Sequence, residues 1–253
     1  MKNTLKLTTA VALALALNAT PSHANFKSGF VVGGALGYSH MGTRFTNNSS
    51  ESAFIGVAAQ SSSARTTEVT SSASSIIGSL SAGYRYITES GFAIGFNLGV
   101  SKDGNTSKDN GTLTTVNSIA YTTKLNRQFQ ITPALFIGQR VADNWMVFTE
   151  LGLSISRFKL KAERTATAAN TNPVAASNKS FTKVGFAPTI GVECALSDRI
   201  SVTGTATYEY FGSTKKDVGS TNTRPGAIDF QTQNNVKVQP NYFTAKVGVL
   251  FKI

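Results

Sequence analysis

Few residues of this chain are of types that carry out nucleophilic or acid–base chemistry. The 253-residue sequence contains two histidines and one cysteine. One histidine, His23, falls in a segment that we expect to be removed, so His40 is the remaining imidazole. Ser39 is its neighbour in the sequence and would point to the opposite face of an extended strand, which makes it a poor partner for a histidine base. We therefore predict no catalytic, cofactor-binding or metal-binding residues.

Charged residues recur at alternate positions within otherwise apolar segments, where they share a face with Gly, Ser and Thr. If that face is enclosed, a lone charge on it would be costly, so charges of both signs must pair. We predict that three basic and three acidic side chains form an interior charge network: Arg85, Lys183 and Lys246 with Glu150, Glu193 and Glu209.

A second group of charges is basic. The formal net charge of the chain is +11, or +9 once Lys2 and Lys6 leave with the N-terminal segment. The largest local excess lies between residues 157 and 182, where Glu163 is the one acid. Such a cluster could contact the phosphates of lipopolysaccharide or acidic glycans, and the alternative is an ordinary solvated charge run. The five basic residues are Arg157, Lys159, Lys161, Arg164 and Lys179.

The N-terminus has the three parts of a secretory signal peptide. Residues 1–6 are basic, residues 8–17 are mainly apolar, and Ser22-His23-Ala24 is a small-x-small cleavage signal. We expect cleavage after Ala24, so that residues 1–24 are a signal peptide and residues 25–253 form one domain. Export argues against a nucleic-acid partner.

The elements that must position these residues are strands. Eight segments alternate with period two between apolar and small polar residues, as strands with two different environments do. Short turns alternate strictly with long connections, as in an up-and-down barrel with turns at one rim and loops at the other. The long connections are 46–74, 102–121, 157–182 and 211–241. The eight segments are about 30–45, 75–87, 92–101, 122–141, 145–158, 181–196, 200–211 and 242–253.

The chemistry of the two faces favours a membrane barrel over a soluble sandwich. One face carries Phe, Tyr, Ile, Leu and Val almost throughout, and the other is small and polar, as a narrow barrel interior requires. In the fourth segment, Leu125 and Phe129 are predicted to share the apolar face. Pro133 and Pro188 lie inside segments of a closed sheet and have no explanation at this level. Aromatic residues near the segment ends suit interfacial girdles: Phe30, Tyr84, Tyr86, Phe92, Trp145, Tyr208 and Tyr210.

Three sequence features together resemble a known family. They are Gly33-Gly34-Ala35-Leu36-Gly37-Tyr38, Gly83-Tyr84-Arg85-Tyr86, and the hairpin from Gly191-Val192-Glu193 through Leu196-Ser197-Asp198 to Tyr208-Glu209-Tyr210. In order and spacing they resemble the small outer-membrane β-barrels of the OmpA-like and opacity-type surface-antigen group. The last strand resembles that family's assembly signal but ends in Ile253 instead of Phe.

The resemblance implies an all-β, eight-stranded antiparallel barrel in the cell outer membrane. It implies a surface protein with a structural, adhesive or immune-facing role carried by its external loops, and a monomer without a wide pore. Implied partners are outer-membrane lipid and lipopolysaccharide, the barrel-assembly machinery and host surface molecules. A narrow channel, a lipid A-modifying enzyme and a soluble lipocalin-like carrier with an inward apolar face are the alternatives.

Overall fold

The structure, a computed structural model, describes residues 26–55, 58–113, 119–166, 177–223 and 228–253. The predicted signal peptide, residues 1–24, lies outside these ranges. The described residues form ten β-strands and no helix long and apolar enough to cross a membrane. The strands are β1 (Gly29–Ile55), β2 (Ala58–Ile87), β3 (Phe92–Asp103), β4 (Thr106–Leu113), β5 (Ile119–Ala142), β6 (Trp145–Ala166), β7 (Ser177–Ala195), β8 (Ile200–Tyr210), β9 (Thr214–Thr223) and β10 (Ile228–Lys252).

Eight of the strands close into a ring. The order is β1-β2-β3-β5-β6-β7-β8-β10, each neighbour is antiparallel, and β10 pairs with β1. The predicted eight-stranded antiparallel architecture is thus confirmed. Short turns lie at one end of the ring, which we call the turn end; Gly91 occupies one of them with φ of +82°, a conformation that favours glycine.

An apolar band surrounds the ring near the turn end. Its large hydrophobic side chains point outward and are exposed, as Leu80 is at 72%. A tilted strand crosses a bilayer in roughly 9–11 residues, and most segments of the band have about this length. The band comprises the outward residues of 30–38, 76–86, 92–100, 129–141, 147–153, 184–192, 200–210 and 243–251.

Aromatic residues concentrate at the two borders of the band. Phe30 and Tyr84 contact each other edge to face at the turn end, with ring centroids 5.0 Å apart. At the far border, Phe186 is in register with Tyr210 and Tyr208 is in register with Phe243. These rows match the predicted girdles in position, except that Trp145 is half-buried.

Beyond the band, the predicted loops are mostly strand. β1 and β2 stay paired from Tyr38 and Ile76 up to Ile55 and Ala58. β4 and β9 lie within two of the connections that the sequence suggested would be loops. The Ser/Thr-rich composition of these segments is compatible with strand once neighbouring backbones supply hydrogen-bond partners, which a single segment does not reveal.

The ring separates above the band into two four-stranded sheets. We call β9-β10-β1-β2 the first external sheet and β4-β5-β6-β7 the second external sheet. In the described residues, no ladder joins β2 to β4 or β7 to β9. The two sheets pack through a buried apolar cluster, as the halves of a β-sandwich do. The cluster comprises Met41, Phe45, Leu125, Phe158, Leu160, Ala162, Phe181, Phe211, Val236, Val238 and Tyr242.

The polarity of β1 therefore inverts where the strand leaves the band. On β1, Leu36 and Tyr38 point outward within the band, whereas the outward residue Arg44 above it is polar. Met41 and Phe45 continue the inward row and are fully buried. The pleat does not change; the outer surroundings change from acyl chains to water, and the inside must then supply the hydrophobic core.

A β-bulge in β5 reverses the predicted orientation of Leu125. The β5–β6 register shifts between Arg127 and Phe129, so Phe129 stays on the outer face while Leu125 and Arg127 point inward. The prediction that Leu125 shares the outward face of Phe129 is wrong, because a bulge adds one residue and reverses the alternation beyond it.

The two prolines lie at gaps in the ladders. Pro133 pairs with Leu98 of β3, but the register with β6 passes from Ile131 to Ala134. Pro188 pairs with Leu151 of β6, and the register with β8 passes over it in the same way. A residue without an N–H is tolerated where the ladder is interrupted.

Candidate functional site

An arginine at the bulge lies at the centre of the barrel interior. The Arg127 Nη1 donates to Glu209 Oε2 at 2.7 Å, and its Nε donates to Asp103 Oδ2 at 2.9 Å. The guanidinium carbon lies 3.8 Å from the centroid of the Tyr242 ring, a cation–π contact. Ser154 Oγ also donates to Glu209, at 3.1 Å. These buried side chains form a layer that crosses the interior directly below the apolar cluster.

Sequence reasoning missed Arg127 and Asp103. Asp103 lay in a predicted loop, and Arg127 was assigned to neither face of its segment. One signal was present: Asn126, Arg127 and Gln128 are three polar residues in succession, and this interrupts strict alternation as a bulge does.

A second layer crosses the interior near the turn end. Arg85 forms a buried ion pair with Glu193, as the sequence predicts for two members of the network. Its guanidinium carbon lies 4.1 Å from the centroid of the Phe136 ring, and Phe136 packs against Phe148 with centroids 5.0 Å apart. Together with Met146 these side chains fill the interior at this level.

A polar cavity of about 100 Å³ lies between the two layers. Glu150 and Lys246 line it beside Glu209, and Asn97 Nδ2 donates to Glu150 Oε1 at 2.9 Å. Nine of the other nineteen lining residues are serines or threonines, whose hydroxyls suit ordered water. The structure therefore brings five of the six predicted network residues to the interior around this cavity. Lys183 lies elsewhere, with its Nζ donating to the Gly212 carbonyl.

The predicted basic cluster divides between two faces. Arg157, Lys159 and Lys161 lie on the outer face of β6, directly above the apolar band. Lys179 is exposed on β7 opposite Leu160, which puts it on the inward-facing row. Arg164 is the register partner of Tyr121, and its side chain is outside the part of the chain whose side chains are described.

Two further lysines extend the outer basic face. Lys108 of β4 is the register partner of Lys124 of β5, and Lys124 is the register partner of Lys161 of β6. Three like charges thus lie in one row across three strands, an arrangement that is unfavourable by itself. Glu163 offsets one of them, at 3.3 Å from Lys124 Nζ. Sequence separation hid this row, because only the register places the three residues side by side.

His40 has a hydroxyl partner that the sequence did not indicate. Its Nδ1 is 2.9 Å from Ser74 Oγ on β2, and both side chains are exposed on the outer face. Ser39 points to the interior, as predicted, and contacts Asp103. The outward neighbours of the pair are Tyr38, Gly42 and Ile76, so the residues flanking it along β1 and β2 add no carboxylate to orient the imidazole.

Comparison with known proteins gives one family and several related folds. The family model described as outer membrane protein beta-barrel domain matches residues 9–251. No curated protein matches the chain.

Solved structures of three bacterial proteins are similar to this chain over most of its length. OprG from Pseudomonas aeruginosa is 15% identical, with a TM-score of 0.44, covering 92% of this chain and 100% of its own. Neisserial surface protein A is 14% identical, with a TM-score of 0.37, covering 84% and 97%. The attachment invasion locus protein Ail of Yersinia pestis is 11% identical, with a TM-score of 0.28, covering 81% and 98%.

Proposed function

The chain belongs to the outer-membrane β-barrel domain family and lies in the outer membrane, and from this premise we propose that it is a surface protein whose external sheets carry recognition and whose barrel is an anchor without a wide pore. The observation that carries the proposal is the extension of the strands beyond the apolar band. β1 faces lipid over residues 30–38 and continues as strand to Ile55. At roughly 3.3 Å per residue, the part above the band is longer than the part within it.

The filled interior supports an anchor over a channel. The Arg127 layer and the Arg85 layer each place buried ion pairs and aromatic rings across the lumen. Eight-stranded barrels have interiors just wide enough for side chains. The narrow-channel alternative would need both layers to open, while the cavity between them provides only a short polar segment.

We expect the purified protein to produce no conductance steps in planar bilayers, because two side-chain layers interrupt the path for ions. A known porin added to the same chamber afterwards is the control for fusion and detection. Reproducible conductance steps whose size increases with salt concentration would contradict the proposal of a closed anchor and favour a narrow channel.

Lipopolysaccharide is the partner that we propose for the outer basic face. Arg157 is two residues above Ile155, so this face begins at the height where the phosphates of the outer leaflet lie. A polyanion lying across Lys108, Lys124 and Lys161 would relieve the repulsion within the lysine row. Acidic host glycans are the alternative ligand of the same charge.

The triple substitution Lys108→Gln, Lys124→Gln and Lys161→Gln should weaken lipopolysaccharide binding roughly 10- to 100-fold at low salt, since each basic residue at an anionic surface contributes about 1 kcal/mol. Binding is measured by titration of detergent-refolded protein with lipopolysaccharide and, in parallel, with heparin.

Lys215 and Lys237 provide a matched control. They are register partners on the exposed outer face of the first external sheet. Changing both to Gln should reduce binding much less. Equal losses in the two variants would mean a general charge effect, and loss of heparin binding alone would favour the glycan.

A further inference from the structure

Oxygen-bearing side chains form a buried row where β3 continues into β4. The sequence from Asp103 to Asp109 is Asp-Gly-Asn-Thr-Ser-Lys-Asp. Its alternate residues Asp103, Asn105, Ser107 and Asp109 are 6%, 0%, 0% and 2% exposed. Alternation along extended backbone puts all four on the inner face of the external sheets. Asp103 forms an ion pair with Arg127. The other three residues have no cationic partner among the described residues.

The inner face of β1 lies against this row. Asn105 Nδ2 donates to Ser39 Oγ at 2.9 Å at one end, and Asn47 Nδ2 donates to Asp109 Oδ2 at 2.7 Å at the other. Thr43 is midway between Ser39 and Asn47, as Ser107 is midway between Asn105 and Asp109. The hydroxyls of Thr43 and Ser107 therefore both lie between these two end contacts.

Four buried oxygen atoms at this interface have no hydrogen-bond partner among the described residues. They are Thr43 Oγ1, Asn105 Oδ1, Ser107 Oγ and Asp109 Oδ1. The orientation of the Asn105 amide is determined, because its nitrogen also donates to the Ser39 carbonyl, which can only accept. Buried polar atoms are nearly always paired in native proteins, so four in one place indicate an occupant that is not a side chain of the described residues.

We propose that this interface is a calcium site, in which Asp109, Ser107 and Thr43 supply oxygen ligands and Asn105 borders the same row. Calcium takes carboxylate, amide and hydroxyl oxygens together with water in flexible geometry, whereas zinc prefers nitrogen and sulfur. Asp109 is buried and has no cationic partner among the described residues, and a buried carboxylate without a countercharge is costly, which favours a cation over water.

Neighbouring side chains hold the carboxylate of Asp109 in position to act as a calcium ligand. Asn47 Nδ2 donates to it, Tyr121 lies beside it, and Gly111 leaves room for the tyrosine, because a Cβ there would clash with the Tyr121 hydroxyl.

The path from the external medium to the site is short. The interface lies above the apolar band, beside the gap where no ladder joins β2 to β4 in the described residues. The medium around the cell surface contains millimolar calcium in many habitats of exported proteins, and extracellular calcium modules bind with dissociation constants of roughly 10⁻⁴–10⁻³ M.

The test uses the protein refolded in zwitterionic detergent without lipopolysaccharide, which binds calcium itself. After chelation, calcium titration followed by calorimetry should show one site with a dissociation constant of roughly 10⁻⁴–10⁻³ M. Saturating calcium should also raise the midpoint of thermal unfolding. Asp109→Asn should weaken binding at least tenfold, and Ser107→Ala, which keeps the charge, should weaken it severalfold.

A carboxylate outside the site is the matched control. Glu68 is exposed and paired with Arg44, so Glu68→Gln should leave calcium affinity unchanged. Absence of calcium binding in the parent protein would overturn the proposal and leave water as the occupant. Binding that persists unchanged in both site variants would overturn it too.

Discussion

Replacing Arg127 by methionine should lower the free energy of unfolding by about 3–5 kcal/mol, the usual cost of removing one partner from a buried ion cluster. The substitution leaves Asp103 and Glu209 buried without their shared cation and removes the cation–π contact with Tyr242. Methionine has a similar length, so the loss reports charge more than volume. Urea titration of protein folded in lipid vesicles measures it.

Arg44 is the control for this prediction, since it forms an ion pair with Glu68 on the exposed outer face. Arg44→Met should cost about 0–1 kcal/mol, as for other solvent-exposed pairs. The triple variant that adds Asp103→Asn and Glu209→Gln to Arg127→Met should regain much of the stability, because no charge is then stranded. If Arg127→Met and Arg44→Met had the same small effect, the Arg127 layer would not be a stabilising element of the barrel.

Leu80→Arg should destabilise the folded state in lipid by about 2–4 kcal/mol, the cost of an arginine near the bilayer midplane on a barrel surface. Leu80 is on the outer face of β2 in the middle of the apolar band, where its side chain is 72% exposed. A residue this exposed would tolerate arginine in a water-soluble protein. A large loss therefore requires lipid around it, and the experiment also separates the barrel from a lipocalin-like carrier.

Ser72 offers the matched position on the same strand. It is exposed on the outer face eight residues beyond Leu80, opposite Gly42 in the register of β1 and β2. Ser72→Arg should change stability by no more than about 0.5 kcal/mol, as surface substitutions usually do. Folding into vesicles with a denaturant series compares the two variants, and equal small effects would place the membrane elsewhere on the molecule.

The external region shows why its strands and its apolar core could not be predicted from the sequence. The segments between 46 and 74 are polar enough to suggest a loop, yet they pair along their described length. β6 does alternate there, with Phe158, Leu160 and Ala162 inward and lysines between them, but the residues of the apolar cluster are scattered over β1, β5, β6, β7 and β10. The core becomes visible only when strands distant in sequence are brought together.

The charged residues also fall into those whose position the sequence predicts and those whose position it does not. Arg85 and Glu193 could be assigned to one interior because each follows unbroken alternation in its own strand. Arg127 could not, because the bulge beside it reverses the alternation, and a bulge is specified by pairing with β6. The lysine row of Lys108, Lys124 and Lys161 depends on register alone.

Within the apolar band, the sequence by itself determined where the strands lie, that eight of them form the ring, and which residues of a strand share a face. It could do so because side-chain alternation is a local property of extended backbone. The tertiary structure decided which medium each face meets. The inward row of β1 becomes apolar where the outside changes from lipid to water, since burial depends on what surrounds the whole assembly. Register, bulges and the buried oxygen cluster also depend on strands far apart in the chain, and no local pattern contains that information.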